Sequence, residues 1–347
     1  MIELEYIIFF ILLILINLLF VVNYNLIGKI YKLKDIPNES RKLHNYPVPL
    51  IGGLIVFANL GFFLIFEFFI INKVHLSDTY YLDNYFLSSN KAIISFVSSL
   101  TLLFALGYFD DKYNLDPFKK LLVLFLIFYI FFSLDDSLVL NNLDLSFINY
   151  RIPINEIGFF LSIFLSLLFL NSINMYDGID GQVGLSSLNV FIYFLYINFM
   201  PMFAVLLIIS LCFFLFLNLK GKIFLGDSGC YILSFILIYF FLRYYHEGLI
   251  KLDEIFVFFF LPITDALRLF VVRILYSGQP WKADANHMHH LIMKKFGYNK
   301  ALTSQYLFSI ILILLLIFTD LSSLFLIFFS TFVYFICLLN LKKNKSF

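Results

Sequence analysis

Asp110 and Asp111 follow directly on an apolar stretch, and two adjacent carboxylates at a membrane surface repel each other unless a cation or a proton lies between them. A divalent metal, a basic substrate or a shared proton would satisfy the pair. A solvated stop-transfer cap is the plainer alternative. Asp177 and Asp180 lie in NMYDGIDG, where Gly178 and Gly181 permit a tight turn and close backbone approach. Three-residue spacing would set both carboxylates on one face of a helical turn with Asn174 beside them, although an ordinary polar turn has the same composition. Asp227 stands in FLGDSG ahead of another apolar run. Exposed N–H groups at that helix start could receive phosphate next to the carboxylate, or the aspartate could simply cap the helix. His287, His289 and His290 form HMHH, a spacing suited to binding metal, holding phosphate or donating a proton. With no thiolate partners and no i, i+4 helical pair, HMHH does not match a zinc site. Arg41 and Lys42 are natural phosphate ligands, and Pro47, Pro49, Gly52 and Gly53 after them give a stiff loop that closes tightly on the next span.

These groups must be positioned by a chain that is 62% hydrophobic and 14% charged, against about half and a quarter in soluble domains. The mean hydropathy is +0.93. Eleven apolar runs read as spans: 6–22, 54–71, 92–109, 121–134, 157–170, 185–199, 202–219, 231–245, 255–274, 304–318 and 324–341. The first has no small-residue cleavage site behind it and reads as a retained helix. The expected fold is therefore all-α, a polytopic integral membrane protein of about 11 transmembrane helices in one domain, 1–347, with its active site on the cytoplasmic face. All but five of the 24 Lys and Arg (Lys73, Lys91, Arg151, Arg243, Lys251) fall on the side that carries the polar clusters. Cytoplasmic loops hold that excess, so the clusters and the C-terminus are expected inside and the N-terminus outside. A net charge of +1 leaves no basic surface for nucleic acid. Cys212, Cys230 and Cys337 lie in or beside apolar runs and suit packing rather than a disulfide framework.

Five carboxylates, three histidines and several cations around a glycine-rich mouth suit magnesium-assisted phosphoryl transfer. No Walker loop or kinase signature is present. The ordered set RKLH…PVPLIGG, DD, NSINMYDGIDG, FLGDSG and HMHH closely resembles the polyprenyl-phosphate N-acetylhexosamine-1-phosphate transferases, polytopic sugar-phosphate transferases, over about residues 40–300. The RKLH and HMHH forms are closer to the branch that starts O-antigen, enterobacterial-common-antigen or teichoic-acid linkage synthesis.

The resemblance implies transfer of a sugar 1-phosphate from a UDP-N-acetylhexosamine to undecaprenyl phosphate, with release of UMP. Mg2+ or Mn2+ would serve as cofactor, in the bacterial inner membrane, and a homodimer is compatible with it. Asp110 and Asp111 match the pair that engages lipid phosphate and metal; Asp227, Asp111 and Asp177 are the implied metal ligands. Asn171, Asn174, Asp177 and Asp180 match the nucleotide loop. Arg41, Lys42 and His44 match substrate contacts, and His287, His289 and His290 the histidines on the diphosphate. Gln182, Cys230 and Ala285 depart from common residues of the family, and Ala285 removes a cation that many members carry. An intramembrane aspartyl protease needs only two membrane-embedded aspartates, whereas the acids here number five and sit in loops. A transporter would place ionisable groups near mid-bilayer in repeated broken helices.

Overall fold

The computed structural model describes residues 2–37, 46–71, 89–277 and 286–343. Arg41, Lys42, His44 and Ala285 lie outside the described residues. In chain order the elements are α1 (Ile2–Tyr31), β1 (Lys34–Asp35), β2 (Val48–Pro49), α2 (Gly52–Ile71), α3 (Asn90–Tyr113), α4 (Pro117–Leu134), β3 (Asn142–Leu143) and β4 (Ile152–Pro153). They continue with α5 (Ile157–Tyr176), α6 (Gln182–Tyr196), α7 (Pro201–Asn218), α8 (Gly226–His246), α9 (Leu252–Phe258) and α10 (Phe260–Ser277). The last three are α11 (Met288–Phe296), α12 (Tyr298–Phe318) and α13 (Ser323–Lys343). The strands form two antiparallel two-residue ribbons, β1 with β2 and β3 with β4.

Each of the eleven apolar runs is helical over most of its length, and the protein is a polytopic, mostly helical membrane protein. The expected count of about 11 transmembrane helices, several of them short, is not confirmed. Among the described residues, eight helices are long and apolar enough to cross a membrane, and α9 with α10, bent by 90°, is either a ninth, broken span or a re-entrant loop. The apolar stretches Gly52–Glu67 and Gln182–Tyr196 are shorter. The break at Phe259 carries no glycine or proline of its own. Pro262 follows in the first turn of α10, where its missing N–H leaves no helical bond unmade.

The chain forms two compact units, Met1–Asp135 with Ser187–Ile236, and Asp136–Ser186 with Leu237–Phe347. In the first, α1, α2 and α7 pack together, as do α3 and α4. A polar knot lies inside the first group. Asn17 and Asn59 donate to each other's amide oxygens at 2.7 and 3.1 Å, and Asn59 also donates to Ser210 Oγ at 3.2 Å, all three residues fully buried. Such bonds tie membrane helices together where no hydrophobic driving force acts between them. In the second unit α10 packs on α5, and α9, α11, α12 and α13 pack among themselves. The loop between residues 136 and 156 is held there by ion pairs from Asp144 to Lys251 (2.6 Å) and Arg151 (3.1 Å). The Lys251 hydrogen bond is the main reason the Asp144 carboxyl lies below its usual range. Of the three cysteines only Cys230 is buried; Cys212 and Cys337 are exposed, so the packing role expected of them holds for one.

Candidate active site

Three of the five polar clusters meet in the first unit, and the meeting is made largely by backbone. The N–H of Phe224 donates to Pro49 O (2.9 Å), while those of Gly52 and Gly53 donate to the carbonyls of Phe224 and Leu225 (3.0 Å each). Gly107 on α3 lies against the Ser228 backbone and Gly53 against Gly229, so closely that a Cβ at either would overlap its neighbour. The glycines of PVPLIGG, LGYFDD and FLGDSG therefore let α2, α3 and the start of α8 converge.

Asp110 and Asp111 diverge, because adjacent residues on a helix point about 100° apart. Asp110, 5% exposed, accepts from Tyr231 Oη at 2.9 Å and from the Leu115 N–H at 3.1 Å, and its Oδ2 lies 2.5 Å from Lys120 Nζ. The chain reversal that returns Lys120 is written locally. Asn114 ends α3 in a left-handed conformation, and Asp116 caps α4 by accepting from the N–H groups of Phe118 and Lys119, with Pro117 as the first helical residue. Asp111 turns to α8 instead. Its carboxylate accepts from the N–H groups of Asp227 (2.9 Å) and Ser228 (3.3 Å) and from Ser228 Oγ (3.3 Å). Gly226, at φ +74°, leaves room for it, since a Cβ there would stand 2.8 Å from Asp111 Oδ2. The N–H groups expected to receive phosphate at this helix start are thus already taken by a carboxylate of the chain itself. Asp227, with its side chain 30% exposed, faces Asp110 and lies 3.7 Å from Lys120 Nζ. One ammonium is set against two carboxylates, Asp110 and Asp227, an oxygen-rich group with room for further positive charge.

The other two described clusters meet in the second unit. Helix α5 ends at Tyr176, so Asp177 and Asp180 occupy the link to α6 rather than one helical face. Gly181, at φ +84°, imposes that reversal. The carbonyl of Asp180 accepts from Tyr298 Oη (2.9 Å), and Asn171 donates back to Leu167 O (2.8 Å), while Asn174 lies one turn before the end of α5. His287 occupies the position just before α11, and His289 and His290 stand in its first turn. The rings of His287 and His289 are parallel within 10° at 5.2 Å, and His290 lies 4.3 Å from His289. His289 is 1% exposed, and among the described residues neither ring nitrogen has a hydrogen-bond partner. Burial, followed by the charges of His290 and His287, holds it well below the usual histidine range, as a neutral imidazole. Its Nε2 lies against Gly178, where a Cβ would overlap it.

Sequence reasoning passed over Lys120, Tyr231 and Asp265. Asp265 joins His287 and His289 as a trio whose ligand atoms lie within 4.8 Å of one another. A metal centre is not the better reading of that trio. The carboxylate, with about four acceptor directions, already takes bonds from Arg268, Tyr334, His287 and the Met288 N–H.

Residues 93–245 match the family described as glycosyl transferase family 4. The undecaprenyl-phosphate alpha-N-acetylglucosaminyl 1-phosphate transferase of Thermotoga maritima is 30% identical over 283 residues, covering 80% of this chain and 79% of the relative. The proteins of the same name from Escherichia coli K12 and Yersinia pestis are 23% and 24% identical, covering 77% and 76% of this chain and 71% and 70% of theirs. A relative this similar along four-fifths of both chains, together with the motif order, places the protein in glycosyl transferase family 4, among the polytopic polyprenyl-phosphate N-acetylhexosamine-1-phosphate transferases.

Proposed function

We propose that this protein transfers an N-acetylhexosamine 1-phosphate from its UDP-sugar to undecaprenyl phosphate, as the first step of a cell-envelope glycan. An oxygen of the lipid phosphate attacks the phosphorus that bears the sugar. The bond from that phosphorus to the bridging oxygen breaks, and UMP leaves. The observation that carries the reading is the pair Asp110 and Asp227 at Lys120, with Asp111 holding the turn that bears Asp227, acting in a family of lipid-phosphate transferases. Phosphoryl transfer needs positioning and charge neutralisation more than covalent help, and these groups supply both.

Asp227 and Asp110 offer the hard oxygens that Mg2+ prefers, with Mn2+ as the close substitute. The bound ion would neutralise phosphate charge. Lys120 neutralises the acids in its absence and faces developing phosphate charge in its presence. Asp111 holds the first turn of α8 and so fixes where Asp227 stands. In the second unit, His287, His289 and His290 present imidazole to the donor diphosphate, while Asn171, Asn174, Asp177 and Asp180 serve the nucleotide. Arg41, Lys42 and His44 complete the phosphate contacts.

The test is purified protein in detergent with undecaprenyl phosphate, Mg2+ and a panel of UDP-sugars. UMP and a lipid-linked sugar diphosphate are expected together, from one N-acetylhexosamine donor and only when the acceptor is present. UMP release without acceptor, or none with any donor, would overturn the assignment; peptide cleavage or solute flux would point to the protease or the transporter.

The lysine and arginine bias supports a cytoplasmic site, with the N-terminus outside. With Cys212 and Cys337 replaced, a cysteine at the exposed Lys294 should resist an impermeant reagent in intact cells, and one at Leu249 (56% exposed) should react. The opposite pattern would invert the topology.

A further inference from the structure

Asp265 and Arg268 stand one turn apart on α10, 4% and 9% exposed, and they bond to each other, to Tyr334 and to the entry to the histidine motif. Arg268 Nη2 donates to Asp265 Oδ1 at 2.8 Å and to the carbonyl of Asn286 at 2.7 Å. Its Nε donates to Tyr334 Oη at 2.7 Å, and that hydroxyl in turn donates to Asp265 Oδ1 at 2.5 Å. Asp265 Oδ2 lies 2.8 Å from His287 Nδ1, and both carboxylate oxygens lie 3.3 Å from the N–H of Met288. Three consecutive residues are therefore gripped in sequence: the carbonyl of 286, the imidazole of 287 and the amide of 288.

Ionisable groups within apolar spans are costly and are kept where they do something. A carboxylate saturated with acceptor bonds and paired to a guanidinium stays an anion that only accepts. The nitrogen of His287 that faces it must then carry the proton, which leaves Nε2 as the nitrogen turned to whatever the motif binds. The N–H of Met288 is the first of α11, so the same carboxylate also fixes where that helix begins. Because His289 stacks on His287, the orientation of one ring is passed to the other.

We propose that Asp265, clamped by Arg268 and Tyr334, is a positioning residue that sets the tautomer and direction of His287 and through it the geometry of the whole HMHH motif. Its kinetic consequences rest on the transferase reading above; its structural consequence does not.

Asp265→Asn is the informative change, because it keeps the shape and an oxygen for Arg268 and Tyr334 while turning an amide N–H2 toward His287. Solid-state 15N spectra of histidine-labelled protein, with the His287 signal found by difference from His287→Gln, should show the proton on Nδ1 in wild type and on Nε2 in Asp265→Asn. The same tautomer in both would overturn the proposal. In the UMP assay, Asp265→Asn should lower kcat by about a hundredfold, as loss of a group that orients a working imidazole does, with KM for both substrates within about threefold.

A cycle with His287→Ala separates positioning from scaffolding. If Asp265 acts through His287, adding Asp265→Asn to His287→Ala should cost less than about twofold; a second hundredfold loss would mean that it does not. Should Asp265→Asn fail to purify as a folded protein, Tyr334→Phe removes one bond to the carboxylate and keeps the ring against Phe260. Its expected loss of a few fold should also vanish in the His287→Ala background, and persistence there would overturn the proposal. An inactive wild type with the expected tautomer shift would reject the transferase reading and leave the mount standing.

Discussion

Asp227→Asn is expected to lower turnover by about a thousandfold with little change in thermal midpoint, whereas Asp111→Asn should lower both. Asp227 is part-exposed and faces another carboxylate, with Lys120 no closer than 3.7 Å. Asparagine keeps a donor that can face Asp110, so stability has little to lose. What disappears is a pair of carboxylate oxygens where phosphate must be handled, and preorganised electrostatic groups of this kind account for about 100- to 1,000-fold in rate. Asp111 accepts the first N–H groups of α8, and replacing a charged cap costs on the order of 1 kcal/mol. A midpoint lower by a few degrees is expected, together with slower turnover because Asp227 rides on that turn. Scanning fluorimetry and UMP release on the same preparations give both numbers. A lipid phosphate with a second pKa of about 6 is already largely dianionic at pH 7. The loss in Asp227→Asn and in Asp110→Asn should therefore be the same at pH 9. Recovery of either variant at pH 9 would make that aspartate a proton acceptor.

The second large effect is expected at a glycine. Gly178→Ala places a methyl group on His289 Nε2, and the imidazole has nowhere to retreat. It is 1% exposed, stacked on His287, close to His290 and edge-on to Tyr176. Gly178 is not among the glycines at positive φ, so space rather than backbone conformation demands the residue. A fall in kcat of at least about a hundredfold is expected, since displacements near 1 Å at a reacting centre cost that much. The control is His289→Ala, which opens the space. If steric displacement is the cause, Gly178→Ala should add almost nothing to it. Losses that multiply in the double variant would show that Gly178 acts by another route.

Much of this site could be read from the chain because its parts are punctuated. Asp and Gly in FLGDSG, DD after a span, and the doubled glycines after Pro49 are polar or small residues against an apolar background, and each marks a turn or a close approach that the structure contains. Lys120 was harder, because its partner becomes visible only once Asn114, Asp116 and Pro117 are understood as a hairpin that folds α4 back along α3. Asp265, Arg268 and Tyr334 lie inside apolar runs and belong to no short motif. Their signal was the rule that an aspartate and an arginine three apart within a span are seldom idle. The adjacency of Asp110 and Asp111 pointed to one shared task, yet helical geometry gives them two. The 90° break at Phe259 had no residue to announce it beyond Pro262, because an all-apolar stretch bends where its neighbours require.

The buried knot of Asn17, Asn59 and Ser210 also bears on how the protein is made. Asn17 and Asn59 are 42 residues apart, but Ser210 follows Asn59 by 151. At roughly 5–20 residues per second, the ribosome needs about 8–30 s to deliver the hydroxyl that completes the set. Through that interval the two membrane-embedded amides have each other and, within their own helices, the carbonyls of Leu13 and Ile55, so α1 and α2 can enter the lipid as a bonded pair that α7 joins later.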